Sequence, residues 1–170
     1  MLLNTGLETT KDEFHRASLG IRNPHVVMLQ AGDALFRFAS TQNLKTGDSI
    51  PSSEWAKGPW WFLEEDYRKV IDRHQASSLG LGTIARAAGA VLPSWSLMDV
   101  SIKARLRYDT KAYIGKGRTQ YRDELPNGMY MTLTGWPDID QVYIPNLRGE
   151  AHVALEIVRQ KRVTTDRFGF

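Results

Sequence analysis

The eleven residues from Leu97 to Arg107, LMDVSIKARLR, constrain the fold of this chain more than any other stretch. Met98, Val100, Ile102, Ala104 and Leu106 alternate with Asp99, Ser101, Lys103, Arg105 and Arg107. Successive side chains of a strand project to opposite faces, so this period of two specifies a half-buried strand. The chain must therefore build a sheet with one covered face.

Other segments fill in around it. HVVMLQ (25–30) and ALFRFAS (34–40) read as strands separated by Ala31-Gly32-Asp33, and KAYIG (111–115), MYMTLT (129–134) and QVYIPN (141–146) read as shorter ones. HVALEIVRQKRV (152–163) alternates through Val153, Leu155 and Ile157 and reads as a further strand. Helices are expected over 10–20, with Thr10 as N-cap, Glu13 three positions on and Gly20 as the stop, over 63–75 and over 82–91. Glu64, Glu65 and Asp66 open the second of these and Arg73 and His74 close it, which suits the helix dipole. Residues 41–59 read as a long polar loop of the kind that is usually functional or mobile. Helices set apart from a mostly antiparallel sheet define an α+β fold. At 170 residues a single domain is expected, with a lead-in over 1–24 and a core over 25–163.

Composition narrows the function classes. The net charge is +3 and the densest basic cluster is Arg159, Lys161 and Arg162 with Arg167 beyond. That cluster reads first as a solvated strand edge and tail, and only second as a nucleic-acid patch. Cysteine is absent, which removes disulfides, a thiolate nucleophile and cysteine zinc sites. His15, His25, His74 and His152 lie far apart, so no metal is expected. No apolar run approaches the roughly 18 residues of a membrane span, and the N-terminus lacks the pattern of a secretory leader. The expected location is the cytoplasm of the producing or the target cell.

Four stretches could carry chemistry. Arg37 in LFRFAS is flanked by aromatics on a strand. It is either an arginine on the polar face or a planar fork for phosphate. EWAKGPWWF (54–62) places Trp60, Trp61 and Phe62 in succession after a Gly58-Pro59 turn. They form either a core corner or the wall of a cleft that takes a cationic ring. YIGKGRTQ (113–120) lacks the P-loop spacing and reads as a polar loop that could face a ligand or a target. In DIDQVYIPN (138–146), three polar groups precede a buried strand, either as a plain turn or as site residues.

The order of these parts resembles the ADP-ribosyltransferase-like superfamily, in particular its small bacterial and phage toxin or effector domains. The segment Gly115 to Gln120, Gly135 in TGWPDID and Gln141 in QVYIP carry the resemblance, which covers about residues 33–146. It implies NAD as substrate. Arg37 would hold its phosphates, Trp60, Trp61 and Phe62 would shape the nicotinamide pocket, and Tyr67 would extend that wall. Gln141 would stand where the family usually has its catalytic glutamate, with Asp140 or Asp138 supplying the missing charge and Glu124 in reserve. Lys116, Arg118 and Gln120 would form a target loop. The sequence departs from the pattern in two places: there is no Ser-Thr-Ser strand motif, and Ile139 and Gln141 replace the Glu-x-Glu pair. The implied function is transfer of ADP-ribose to a macromolecule or hydrolysis of NAD, with a protein target or inhibitor as partner. A non-enzymatic protein-interaction module is the alternative, and a nucleic-acid-binding domain is the third reading.

Overall fold

In the computed structural model, residues 2–7, 10–124 and 128–166 are described. The alternating stretch forms β5 (Val100–Leu106), which pairs antiparallel with β3 (Ala34–Ala39) on one edge and β10 (Leu155–Arg162) on the other. Its inward residues Val100, Ile102, Ala104 and Leu106 are essentially inaccessible to solvent. A second group of strands gathers around β6 (Asp109–Gly117): β1 (Leu2–Leu3), β2 (Ile21–Leu29) and β9 (Asp140–Tyr143).

The two groups meet through β4 (Trp60–Leu63). Its first two residues pair with Tyr143 and Val142 of β9, and its last two with Phe36 and Leu35 of β3. Among the described residues the strand order is β1-β6-β9-β4-β3-β5-β10, with β2 also on β6. All pairings but β1 on β6 are antiparallel. A separate two-stranded ribbon, β7 (Gln120–Glu124) with β8 (Tyr130–Leu133), leaves the main sheet.

The run of three aromatics explains how so short a strand joins the halves. Trp61 enters the large cluster around Leu35, Ile102 and Ile144, Phe62 joins the cluster of Phe36, Phe38, Val70 and Ile84, and Trp60 packs on that of Ile21, Tyr113 and Tyr143. The second cluster is closed by α2 (Glu64–Gln75) and α3 (Leu81–Gly89). Burying such rings contributes about 2–3 kcal/mol each, so β4 is held from both faces.

Several expectations are corrected. Residues 152–154 do not extend the last strand. They end a helix, α4 (Leu147–Ala154), that follows left-handed Asn146. The supposed lead-in is packed into the body: Leu7 is buried, and its carbonyl accepts a hydrogen bond from the Tyr113 hydroxyl at 3.0 Å. Helix α1 (Lys11–Ser18) starts after Thr10, but the Thr10 side chain does not cap it. Gly20 serves close packing rather than helix termination, since a Cβ there would lie 2.5 Å from the Trp60 ring. The polar loop 41–59 contains a 3-10 turn over Ser52–Lys57, and the strand read over 111–115 runs on through residues 116–117, which the loop reading of 113–120 includes. No helix among the described residues is long and apolar enough to cross a membrane.

The start of α3 is held from a distance. The Asp166 carboxylate accepts from the Gly80 N–H at 2.7 Å and the Thr83 hydroxyl at 2.8 Å. These bonds hold its pKa below the usual carboxylate value. A depressed folded-state pKa gives stability that is complete above the unfolded value and lost as pH falls through the folded one. The difference in melting temperature between the wild type and Asp166→Ala is therefore expected to shrink on acidification from about pH 7 to about pH 3. Thermal melts across that range check it, and a constant difference would contradict the assignment.

Candidate functional site

A cavity of about 500 Å3 opens where the two halves of the sheet part. On its β3 side β4 pairs only through Phe62 and Leu63, so Arg37 and Phe38 have no ladder partner there. The Arg37 side chain fills this gap. Its Nη1 donates to the Trp60 carbonyl at 3.1 Å and its Nε to the Trp55 carbonyl at 3.0 Å. Gly58 makes the space, because a Cβ at that position would fall 1.9 Å from Nη2. Desolvation lowers the Arg37 pKa to about 10, so the group remains a cation at neutral pH. It makes no ion pair with a carboxylate among the described residues. A guanidinium has more donors than these two carbonyls use, and Arg37 is among the residues that line the cavity.

Gln141 reaches the same cavity from β9. The residue is 5% exposed, and its Nε2 donates to the Gly89 carbonyl at 2.6 Å. Only the amide nitrogen can donate to a carbonyl, so the amide orientation is fixed and Oε1 is left as the acceptor. Gly89 and Gly117 leave room for this side chain: a Cβ at Gly117 would lie 2.7 Å from Nε2.

The remaining walls come from α1, β4 and the segment after α3. Trp60 stands edge-on to Tyr143 with ring centroids 4.8 Å apart. The segment 90–98 carries Val91, Trp95 and Ser96 into the lining. Ala90 and Met98, at its ends, take left-handed conformations that side chains rarely adopt. Buried Arg86 fixes the segment by donating to the carbonyls of Val91 at 2.9 Å and Ser96 at 2.7 Å. Arg16, at the end of α1, supplies a second cation at the rim, and Gln120 a second amide. The lining residues include no aspartate or glutamate.

Of the residues singled out in the sequence, Arg37, Trp60, Trp61, Phe62, Gln120 and Gln141 line this one cavity. The others do not. Tyr67 lies in the core behind α2, stacked on Phe36 at 3.9 Å between centroids. Asp140 precedes Gln141 and so projects to the other face of β9, where it pairs with Lys116 at 2.8 Å and its N–H donates to Asp66. Asp138 pairs with Arg73, which also lies over the Trp136 ring. Arg118 donates to the Ser18 carbonyl at 2.8 Å, so it braces α1 rather than swinging on a loop. Lys116 and Arg118 thus have structural partners. The side chains of Glu124 and His152, and all of Arg167, lie outside the described residues. Among the described residues no group of three His, Asp or Glu is placed to hold a metal.

The sequence did not single out Arg16, Tyr143, Trp95 or the strained segment 90–98 for the site. Arg16 sits in a helix that reads as peripheral, and Tyr143 in a strand that reads as plain core. Their parity and helix phase could have been matched to Gln141 only with the pairing register known.

The sequence matches no protein-family profile and no curated protein. In three dimensions the chain is similar to a chain of the solved structure of Rhs1-CT in complex with cognate immunity protein RhsI1. The TM-score is 0.50 at 14% identity, over 85% of this chain and 84% of that one. The likeness is one of fold: an α+β domain with a curled, mostly antiparallel sheet and few helices.

Gln141→Glu tests how the amide is held. A carboxylate would face the Gly89 carbonyl in a nearly closed space, so the introduced acid's pKa rises. Such a group costs nothing below its unfolded pKa of about 4.3 and progressively more as pH rises through it. The variant is expected to lose about 2–4 kcal/mol near neutrality and to recover most of that by about pH 4. Denaturant titrations at the two pH values measure this. An unchanged stability at neutrality would mean that the Gln141–Gly89 bond does not hold the site.

Proposed function

We propose that this cavity binds NAD in the manner of an ADP-ribosyltransferase-like domain, and that the chain is a toxin- or effector-type protein that cleaves the nicotinamide–ribose bond. The observation that carries the reading is the meeting of Arg37 and Gln141, 104 positions apart (141 − 37), in one cavity with the Trp60 indole. An unpaired guanidinium between apolar walls calls for an anion, and its planar fork suits a pyrophosphate oxygen pair. The Trp60 indole offers a face to the cationic nicotinamide ring, an attraction of about 0.5–2 kcal/mol. The Gln141 carbonyl can accept a hydrogen bond from a ribose hydroxyl and orient the sugar.

The chemistry suits such a site. As the C1′–N bond breaks, its electron pair leaves with nicotinamide and positive charge builds on the sugar, as in glycoside hydrolysis. Water or a target group then bonds to C1′. Fixed dipoles and orientation supply much of the acceleration. The likeness to a chain of the Rhs1-CT complex with its cognate immunity protein supports a toxin-type reading and a protein inhibitor as partner. The lack of any carboxylate in the lining favours a second reading, a domain that binds the nucleotide without cleaving it.

Incubation with labelled NAD, in buffer and in cell lysate, separates these. Nicotinamide release, with or without labelled macromolecules, is expected from the wild type. Arg37→Ala should reduce it by about 10²-fold or more. Arg37 also props the sheet, so Arg37→Lys, which keeps a cation and a donor for the carbonyls but loses the planar fork, is the companion variant. It should stay folded and lose activity likewise. Wild-type turnover in folded samples of both variants would overturn the proposal. Tryptophan quenching by NAD without nicotinamide release would establish the binding-only reading.

A further inference from the structure

The cavity lining lacks a carboxylate, yet one stands directly behind it. Glu13 lies in the first turn of α1, where its spacing from Thr10 predicts a capping box. It does not fold back onto its own helix. The side chain is 14% exposed, Oε2 accepts from the Tyr143 hydroxyl at 3.1 Å, and Oε1 lies 3.3 Å from Nη1 of Arg16. Tyr143 and Arg16 both line the cavity.

Tyr143 is well placed to relay a proton. It sits two residues after Gln141 on β9, so both side chains leave the same strand face, with roots about 6–7 Å apart. Its ring is fixed by Trp60, and its backbone by pairing to Trp60 and Tyr113. The other acids near β9 face away: Asp138 is tied to Arg73, and Asp140 to Lys116.

We propose, resting on the NAD reading above, that Glu13 acts through the Tyr143 hydroxyl as the proton acceptor for the attacking group. Nicotinamide leaves C1′ with the electron pair of the broken bond. The acceptor oxygen, from water or another hydroxyl, bonds to C1′ and gives its proton to Tyr143 Oη. Tyr143 passes its own phenolic proton to Glu13 Oε2. The cationic dinucleotide, the neutral hydroxyl and the carboxylate become a neutral nicotinamide, an ADP-ribosylated oxygen and a protonated Glu13, which returns its proton to solvent. Burial and the neighbouring Glu13 push the Tyr143 pKa up to about 12, so the phenol keeps the proton it must relay. Glu13 is a positioning residue in this scheme, because it meets the reacting atoms only through Tyr143.

Steady-state nicotinamide release from NAD, in buffer and with lysate, tests it in Glu13→Gln, Tyr143→Phe and the double variant. Each single variant is expected to lose about 10²-fold in kcat with little change in KM. The double variant should lose no more than either single one, because the two groups act as a unit. The acid limb of the wild-type kcat/KM profile should vanish in Glu13→Gln. Circular dichroism confirms that the variants are folded. Wild-type kcat in folded Glu13→Gln, additive losses, or a reduced rate with an unmoved pH profile would each overturn the relay. No nicotinamide release by the wild type in either medium would instead remove the NAD reading, and the relay with it.

Discussion

The structure turns on a four-residue strand asked to serve two halves of a sheet. β4 gives Trp60 and Trp61 to β9 and Phe62 and Leu63 to β3. A strand that changes partner partway leaves backbone carbonyls without a ladder, and a buried orphan carbonyl is costly. Arg37 removes that cost at Trp60, and it also satisfies the Trp55 carbonyl of the preceding 3-10 turn. The cavity, the cation inside it and the aromatic walls are thus consequences of one packing problem. Three successive aromatics can each reach a different hydrophobic cluster only if the sheet divides around them.

That problem explains what could be read from the chain alone. Period two in Val100–Leu106 is a local property and survives folding unchanged. The acidic start and basic end of α2 are equally local. Val153 and Leu155 deceive for the opposite reason: an alternating apolar pattern runs across the junction of α4 and β10, and only the left-handed Asn146 marks the helix start. At the site, Arg37 and Gln141 were legible as residue types out of place. Asp140 reads as part of a turn that could bring its charge inward, whereas in the structure it begins β9 and pairs with Lys116 away from the cavity. Tyr67 was misassigned because its helix phase places it on Phe36, a contact that no local rule reveals.

Glu13 was hidden by a competing local rule. Its spacing from Thr10 suggests a cap, and a cap is an adequate account of an acid in a first turn. The structure draws the carboxylate to Arg16 one turn on and to Tyr143, 130 residues away in sequence. Long-range pairing of this kind depends on the register of β9 against β4 and β6, which fixes where the Tyr143 ring stands.

The electrostatics of the cavity bear on the stability of the fold. Arg37 stays charged at neutral pH while burial pulls its pKa down to about 10, so solvent supports the cation less well than usual. Two carbonyls satisfy part of the guanidinium, but dipoles do not neutralise a charge. An anion that fits between Arg37 and Arg16 would restore what desolvation removes. It would therefore bind the folded chain and not the unfolded one, stabilising the fold by RT ln(1 + [L]/Kd). An anion held at Arg37 would in that way tie the junction of the two half-sheets to the cavity, because the same guanidinium serves both.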